Sequence, residues 1–191
     1  MRVLELFAGT GSIGKVCKKL GWEVVSIDID GRSDITCDIL EWDYTDQEPF
    51  DIIWASCPCD EYSCMNYCRP EKIPNIEFAN SLVLKTLEII DYFNPTYWYI
   101  ENPQTSTLKK QPFMKELAFV DFDYCMFNWY IRKRTRIWTN RKLNGLLCDK
   151  TCGRITDGKH LSFSNLNIKG MNRLDLRHTI PEDLVYYLLL E

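Results

Sequence analysis

Apolar positions along this chain fall into short runs separated by stretches of helical period. Val3-Leu4-Glu5-Leu6-Phe7 reads as a buried strand, and a helical stretch from Ser12 to Leu20, ended by Gly21, parts it from the next apolar run, Val24-Val25-Ser26-Ile27. A strand, turn, helix, strand unit predicts parallel pairing. Phe50 to Ala55 and Tyr97 to Ile100 add two further strands. Between them, residues 76–93 place Phe78, Leu82, Leu84, Leu87, Ile90 and Phe93 at mostly helical spacing, and the helix should end at Asn94-Pro95. The pattern therefore predicts an α/β fold around a mostly parallel twisted sheet.

Past residue 119 the pattern weakens. Two more strands are expected, Phe122 to Tyr130 and Thr135 to Thr139, with the basic Arg132-Lys133-Arg134 between or beside them. Residues 144–175 carry Gly145, Gly153, Gly158 and Gly170 among polar neighbours and read as long loops or a small irregular subdomain. Pro181 opens a terminal helix, Glu182 to Leu190, with acids in its first turn. No internal repeat or low-complexity segment interrupts the pattern.

Composition narrows the class. At 191 residues with 46% apolar and 26% charged side chains, the chain suits one globular domain and argues against disorder. The opening run Val3 to Ala8 is too short and too acidic for a signal peptide, and no stretch approaches the roughly 20 apolar residues of a membrane span. An intracellular, cytoplasmic protein is expected, with no membrane partner. Nine cysteines, an odd number, then suit buried thiols, a thiolate nucleophile or metal ligands better than a disulfide framework.

Charge is unevenly spread. Residues 1–131 hold 11 Lys and Arg against 21 Asp and Glu, whereas residues 132–178 hold 12 against 3. The net charge of −4 thus hides a basic third, which is a candidate phosphate-contacting surface or else a solvated basic face.

Three segments carry candidate chemistry. Gly9-Thr10-Gly11-Ser12-Ile13-Gly14 follows a strand and opens a helix, and Asp28 and Asp30 end the next strand. Such glycines let backbone approach a nucleoside cofactor, and a carboxylate there can hold ribose hydroxyls. That loop alone also fits a nicotinamide oxidoreductase. Ser56-Cys57-Pro58-Cys59-Asp60-Glu61-Tyr62-Ser63 lies at the carboxyl end of the third strand, and Glu101-Asn102-Pro103 at the end of the fourth. Open α/β sheets present reactive groups at these ends, so a thiol and a carboxylate can meet across one substrate.

The Pro58-Cys59 stretch resembles the Pro-Cys motif of cytosine-5 methyltransferases, and other motifs of that family recur in order over residues 2–140. Leu6 to Gly11 looks like its cofactor loop, Asp28 like its ribose-binding acid, and Asp38-Ile39 like its adenine-contacting pair. Glu101-Asn102 matches its Glu-Asn motif, and Arg134-Thr135-Arg136 the two arginines of its Gln-x-Arg-x-Arg motif. The resemblance implies a Rossmann-like, S-adenosylmethionine-dependent methyltransferase fold with helices on both faces. It divides the chain into a catalytic domain (1–143), a small basic loop-rich subdomain (144–178) and a C-terminal helix returning to the catalytic domain (179–191). Phe7, Ala8, Gly9, Thr10, Gly11, Ser12, Asp28, Ile29, Asp38, Ile39 and Pro58 would line the cofactor. Ser63, Arg132, Lys133, Arg141 and Lys142 would contact nucleic acid.

The implied chemistry accounts for the residue types. Carbon 5 of cytosine is too weak a nucleophile to take a methyl group until a thiolate, here Cys59, adds at carbon 6. A buried carboxylate, Glu101, would share or donate a proton near ring nitrogen 3, and Arg136 with Arg134 would hold the ring carbonyl and orient Glu101. Cys57 is expected to pack. Cys64 and Cys68 are read as packing or active-site-loop residues.

The sequence departs from the family at Asp60, where Gln is usual, at Pro103, where Val often follows, and at Arg132, where the arginine motif usually begins with Gln. Only 51 residues follow Asn140, fewer than the family's usual DNA-reading domain. Sequence specificity should be low or short, or supplied by a protein partner. The compact layout is similar to short phage- and large-virus-type members, which would place the protein in a host nucleus or cytoplasm. Arg177 to Pro181 is faintly like the family's last motif, which packs beside the cofactor loop. DNA is the expected substrate, with RNA of the transfer-RNA type and a non-catalytic binding module as the alternatives.

Cys148-x-x-x-Cys152 followed by His160 forms a separate candidate, a structural zinc site in a region with little core. Cys125 or His178 could complete it. Unligated loop thiols are the alternative.

Overall fold

The computed structural model describes residues 1–69, 71–161, 168 and 172–190. Gly170 and the rest of 162–167 and 169–171, within the stretch expected to be loop-rich, lie outside the described residues. In chain order the elements are β1 (Arg2–Leu6), α1 (Ser12–Lys19), β2 (Glu23–Asp28), β3 (Ile35–Thr36), β4 (Ile52–Ala55), α2 (Ile76–Phe93), β5 (Tyr97–Pro103), β6 (Phe119–Asp123), β7 (Arg134–Thr139), β8 (Ile155–Thr156), β9 (Lys159–His160), α3 (Arg173–His178) and α4 (Glu182–Leu190).

Seven strands form one sheet in the order β3-β2-β1-β4-β5-β7-β6. The first five pair in parallel, and β7 runs antiparallel between β5 and β6. Alternate residues along each strand point to opposite faces. Leu4, Leu6, Ile53, Ala55, Ile100 and Trp138 therefore meet one helix layer, α2, through Ala79, Leu82, Val83, Ile89 and Ile90. Val3, Ile52, Trp54, Tyr99, Phe122 and Ile137 meet the other, through Ile13, Val16 and Cys17 of α1 and Leu184, Val185, Leu188 and Leu189 of α4. This is a sandwich of helices on both faces of a mostly parallel sheet, the α/β fold expected from the sequence.

The helix ends follow local chemistry. Asn75 caps α2 by accepting from the Phe78 N–H at 3.1 Å, and Asn94 closes it in the left-handed region before Pro95. At α1 the cap is unusual, because buried Glu5 of β1 reaches across and accepts from the backbone N–H groups of Ile13 and Gly14 at 3.1 and 2.9 Å. Burial raises the Glu5 carboxyl to about 7 against the pull of those two N–H donors. The strand is thereby tied to the first turn of α1.

Two boundaries differ from expectation. The stretch read as a strand from Phe122 to Tyr130 is β6 over Phe119–Asp123 followed by a 3-10 turn, Tyr124–Phe127, closed by left-handed Asn128. Within the expected loops, β8 and β9 form a hairpin about Asp157-Gly158, both with positive φ, and the Asp-Gly pair was its signal in the sequence. Among the described residues no helix is long and apolar enough to cross a membrane.

Gly14 is where the Glu5 cap leaves no room. A Cβ there would lie 2.7 Å from Glu5 Oε2 and 3.3 Å from Val24 Cγ1. Gly14→Ala is expected to lower stability by about 1–3 kcal/mol in urea unfolding followed by tryptophan fluorescence; an unchanged midpoint would show that the cap tolerates the methyl group.

Candidate active site

Parallel pairing sets the carboxyl ends of β2, β1, β4 and β5 side by side, and each carries residues of the site. After β1 the chain turns through Phe7, Gly9 and Gly11 with φ of 55°, 50° and 66°. A phenylalanine in this left-handed region costs roughly 1 kcal/mol or more, a strain that collects at ligand-binding turns. The Gly9 N–H donates to Asp28 Oδ2 at 2.7 Å and the Asp30 N–H to Asp28 Oδ1 at 3.1 Å, fixing the carboxylate across the loop. Thr10 and Ser12 share a hydroxyl hydrogen bond at 2.8 Å, and Ser12 Oγ accepts from the Ile180 N–H at 3.1 Å. Ile29, beside Asp28, is 73% exposed.

A tightly turned glycine loop, a fixed carboxylate and an exposed apolar side chain fit the ribose and base of a nucleoside cofactor such as S-adenosylmethionine. Asp38 is half-buried and turned to the Leu40 N–H at 2.9 Å. Ile39 is buried in the core under this edge, while Pro58 is exposed.

Cys57 and Cys59 follow β4 but face different surroundings. Cys57 is buried, its thiol 3.8 Å from Thr86 Oγ1 of α2, and burial pushes it up to about 12. It packs. Cys59 is half-buried, and its thiol is raised to about 11, first by desolvation and then by the charges of Glu101 and Asp60, while Lys133 pulls it down. The segment is anchored through buried Tyr62, whose hydroxyl donates to Asn80 Oδ1 at 2.7 Å and whose carbonyl accepts from the Thr107 N–H at 2.9 Å. Asn102 Nδ2 donates to the Cys57 carbonyl at 2.9 Å and ties β5 to it. Among the described residues its Oδ1 is buried without a protein donor.

Glu101 is 6% exposed. Its Oε1 accepts from the hydroxyls of Tyr124, at 3.2 Å, and Thr135, and Lys133 Nζ lies 3.8 Å away. Lys133 also donates to the Arg177 carbonyl at 3.0 Å and sits 4.9 Å from the centre of the Tyr124 ring. Tyr124 and Thr135 were not singled out in the sequence, and Lys133 was expected on phosphate instead. No local motif marks them, because they reach Glu101 through strand pairing.

The structure does not bring Arg134 and Arg136 to Glu101. Arg134 forks onto Asp123 at 2.9 and 3.0 Å, and Arg136 onto Asp121 at 2.8 and 2.9 Å, in the β6–β7 register that sets these pairs opposite each other. Period-two alternation explains the outcome, since the backbone that turns Thr135 toward Glu101 turns both arginines the other way. Alternating acids at 121 and 123 facing alternating arginines were the readable signal.

The other predicted nucleic-acid contacts also divide. Arg132 is exposed with Nε 2.9 Å from Asp123 Oδ2, and Lys142 is exposed. Arg141 instead donates to the carbonyls of Leu188 and Leu189 at 2.9 and 3.0 Å and so closes α4. Ser63 caps the 3-10 turn Cys64–Cys68, whose two cysteines are exposed rather than packed.

Next to Tyr124 in the turn after β6, Cys125 comes together with Cys148, Cys152 and His160. Their ligand atoms all lie within 4.8 Å of one another. His178 is exposed on α3 and stands outside the group.

No family model matches the sequence. The chain is similar to the probable DNA (cytosine-5)-methyltransferase of Frog virus 3 (isolate Goorha), 37% identical over 166 residues that cover 80% of this chain and 75% of that protein. Among solved structures it is similar to a candidate DNA modification methyltransferase encoded within an E. coli prophage, with TM-score 0.55 and 13% identity over 73% of this chain and 46% of that one. It is also similar to the S. pombe Dnmt2 methyltransferase, with TM-score 0.54 and 16% identity over 76% of this chain and 52% of that one. The chain spans about half the length of these two structures, and at such identities the likeness speaks for the fold.

The electrostatics of Cys59 give a direct test. Its alkylation by iodoacetamide, followed by peptide mass spectrometry, should rise about tenfold per pH unit between about pH 7 and pH 10, because only the thiolate reacts. Lys133→Met removes a cation that lowers the thiol and should slow the reaction at a fixed alkaline pH. A rate already level near neutrality contradicts a thiol held near 11.

Proposed function

This chain belongs to the DNA (cytosine-5)-methyltransferase family, and on that premise we propose that it transfers a methyl group from S-adenosylmethionine to carbon 5 of cytosine in DNA through a covalent Cys59 adduct. The observation that carries the reading is the shared strand-end position of half-buried Cys59 and buried Glu101, with the Lys133 ammonium 3.8 Å from Glu101 and its charge pulling the Cys59 thiol down.

S-adenosylmethionine supplies an electrophilic methyl group, and Phe7 to Ser12, Asp28 and Ile29 are the residues that would hold it. Cys59 gives up its proton to water and adds to carbon 6 as the thiolate, which moves electron density onto carbon 5. A thiol near 11 is protonated at neutral pH, so Lys133 acts as the local cation that favours the thiolate when the base is seated. Glu101, kept in place by Tyr124 and Thr135, would stand against the ring nitrogen and amine, where a carboxyl group can share the proton that stabilises the adduct. After methyl transfer, water takes the carbon 5 proton and Cys59 leaves as the thiolate, which restores the ring and the enzyme.

Cytosine inside a duplex cannot reach such a strand end, so the target is flipped out or single-stranded. Arg132 and Lys142 are the exposed cations beside β6 and β7 that would meet phosphates, and residues 144–178 would serve as a reduced target-reading region. A partner protein would supply longer sequence recognition.

Cys59→Ala should abolish incorporation of labelled methyl groups by several orders of magnitude, whereas Cys57→Ala should retain most of it. Loss with Cys57→Ala alone would reassign the nucleophile. Parallel assays on DNA and transfer RNA separate the substrates, and methylation of RNA only would overturn the DNA assignment while leaving the Cys59 chemistry standing.

A further inference from the structure

Three thiols and one imidazole, drawn from three separate places in the chain, converge beside the active-site wall. Cys125 comes from the 3-10 turn after β6, Cys148 and Cys152 from the segment that follows β7, and His160 from β9. His160 Nε2 lies 3.6, 3.4 and 3.3 Å from the sulfurs of Cys125, Cys148 and Cys152. In a zinc tetrahedron with Zn–S of about 2.3 Å and Zn–N of about 2.0–2.1 Å, the nitrogen to sulfur edges measure about 3.5 Å. The observed separations are those edges. Cys125 and Cys148 are buried, Cys152 and His160 half-buried, and no disulfide joins any of them.

The surroundings show why such a group would be needed. The hairpin β8–β9 has two residues in each strand and pairs with no other strand among the described residues. A two-stranded hairpin is at best marginal alone in water. Yet the segment is pinned at its start, where the Cys148 N–H donates to Asp123 Oδ2 at 2.9 Å and the Asp123 N–H to the Leu146 carbonyl at 2.9 Å.

We propose that Cys125, Cys148, Cys152 and His160 bind one zinc ion in a closed tetrahedral structural site that fastens the 148–160 segment to the end of β6. Four protein ligands leave no position for water or substrate, so the ion is structural rather than catalytic. Three sulfurs and one nitrogen in this geometry favour zinc over magnesium or calcium, which take oxygen ligands. The site also fixes Tyr124, the neighbour of Cys125 and a donor to Glu101. The inference stands on its own ligand set and does not depend on the methyltransferase reading.

The test uses the full chain purified under reducing conditions and exposed to zinc alone. Elemental analysis and native mass spectrometry should find one zinc per chain. Replacement by cobalt(II) should give tetrahedral ligand-field bands with thiolate-to-metal charge transfer of three-sulfur intensity. Cys125→Ser and His160→Ala should each weaken zinc binding at least about 100-fold, while His178→Ala keeps a full equivalent. The cobalt spectrum is read on the unmodified chain, so it decides the matter even if the ligand variants fail to fold. A chain that takes up no zinc, a Cys125→Ser variant that keeps its full affinity, an octahedral cobalt spectrum or a disulfide among these cysteines would each overturn the assignment.

Discussion

A carboxylate buried at a strand end is costly, and the Glu101 carboxylate at the end of β5 is the group around which this molecule is arranged. Taking such a charge out of water costs several kcal/mol unless hydrogen bonds and a counter-charge meet it. Here the partners are the hydroxyls of Tyr124 and Thr135 and the ammonium of Lys133. All three come from the β6–β7 unit, and they reach Glu101 because β7 inserts antiparallel between β5 and β6. The reversed strand therefore does more than extend the sheet. It brings a donor, a second donor and a cation to the place where the parallel strands end and Cys59 stands.

The same strand resolves its own surplus of positive charge on the opposite face. Arg134 and Arg136 lie against Asp123 and Asp121 in paired forks, and Arg136 also stacks 3.5 Å from the centre of the Phe119 ring. Forked arginine to carboxylate pairs are geometrically specific, and replacing one partner leaves a half-buried charge unmet. Asp123 carries the heaviest duty, since it also accepts from Arg132 and the Cys148 backbone. Burial acts first to raise its carboxyl, and the hydrogen bonds from Arg134, Cys148 and Arg132 outweigh it and hold the group below its usual range. One residue thus links the arginine strand to the cysteine-rich segment.

At the other side of the sheet the constraint is close packing. Glu5 replaces the usual side-chain cap of α1 and reaches two backbone N–H groups from within β1. This fixes where α1 begins, and with it the path of the Phe7 to Ser12 turn, in which Phe7 adopts a strained positive φ. The chain returns to this turn at the Ile180 bond to Ser12, so the start of α4 is tied to the loop while its apolar side chains pack with those of α1.

The periodic elements were legible in the sequence. The residues of α2 and its Asn94-Pro95 stop, the terminal helix, and four of the five parallel strands, β1, β2, β4 and β5, follow from side-chain period and local caps, which act within a few residues. The strand-end positions of Cys59, Glu101 and Asp28 were legible for the same reason, since an α/β chain must place them there. Tertiary structure alone decided what those groups face. Which side of β7 meets Glu101 depends on its pairing register with β5 and β6, and a shift of one residue would exchange Thr135 for the arginines. Cys125 joins His160 from 35 positions away, a proximity that local spacing cannot encode because it is set by where two distant segments pack.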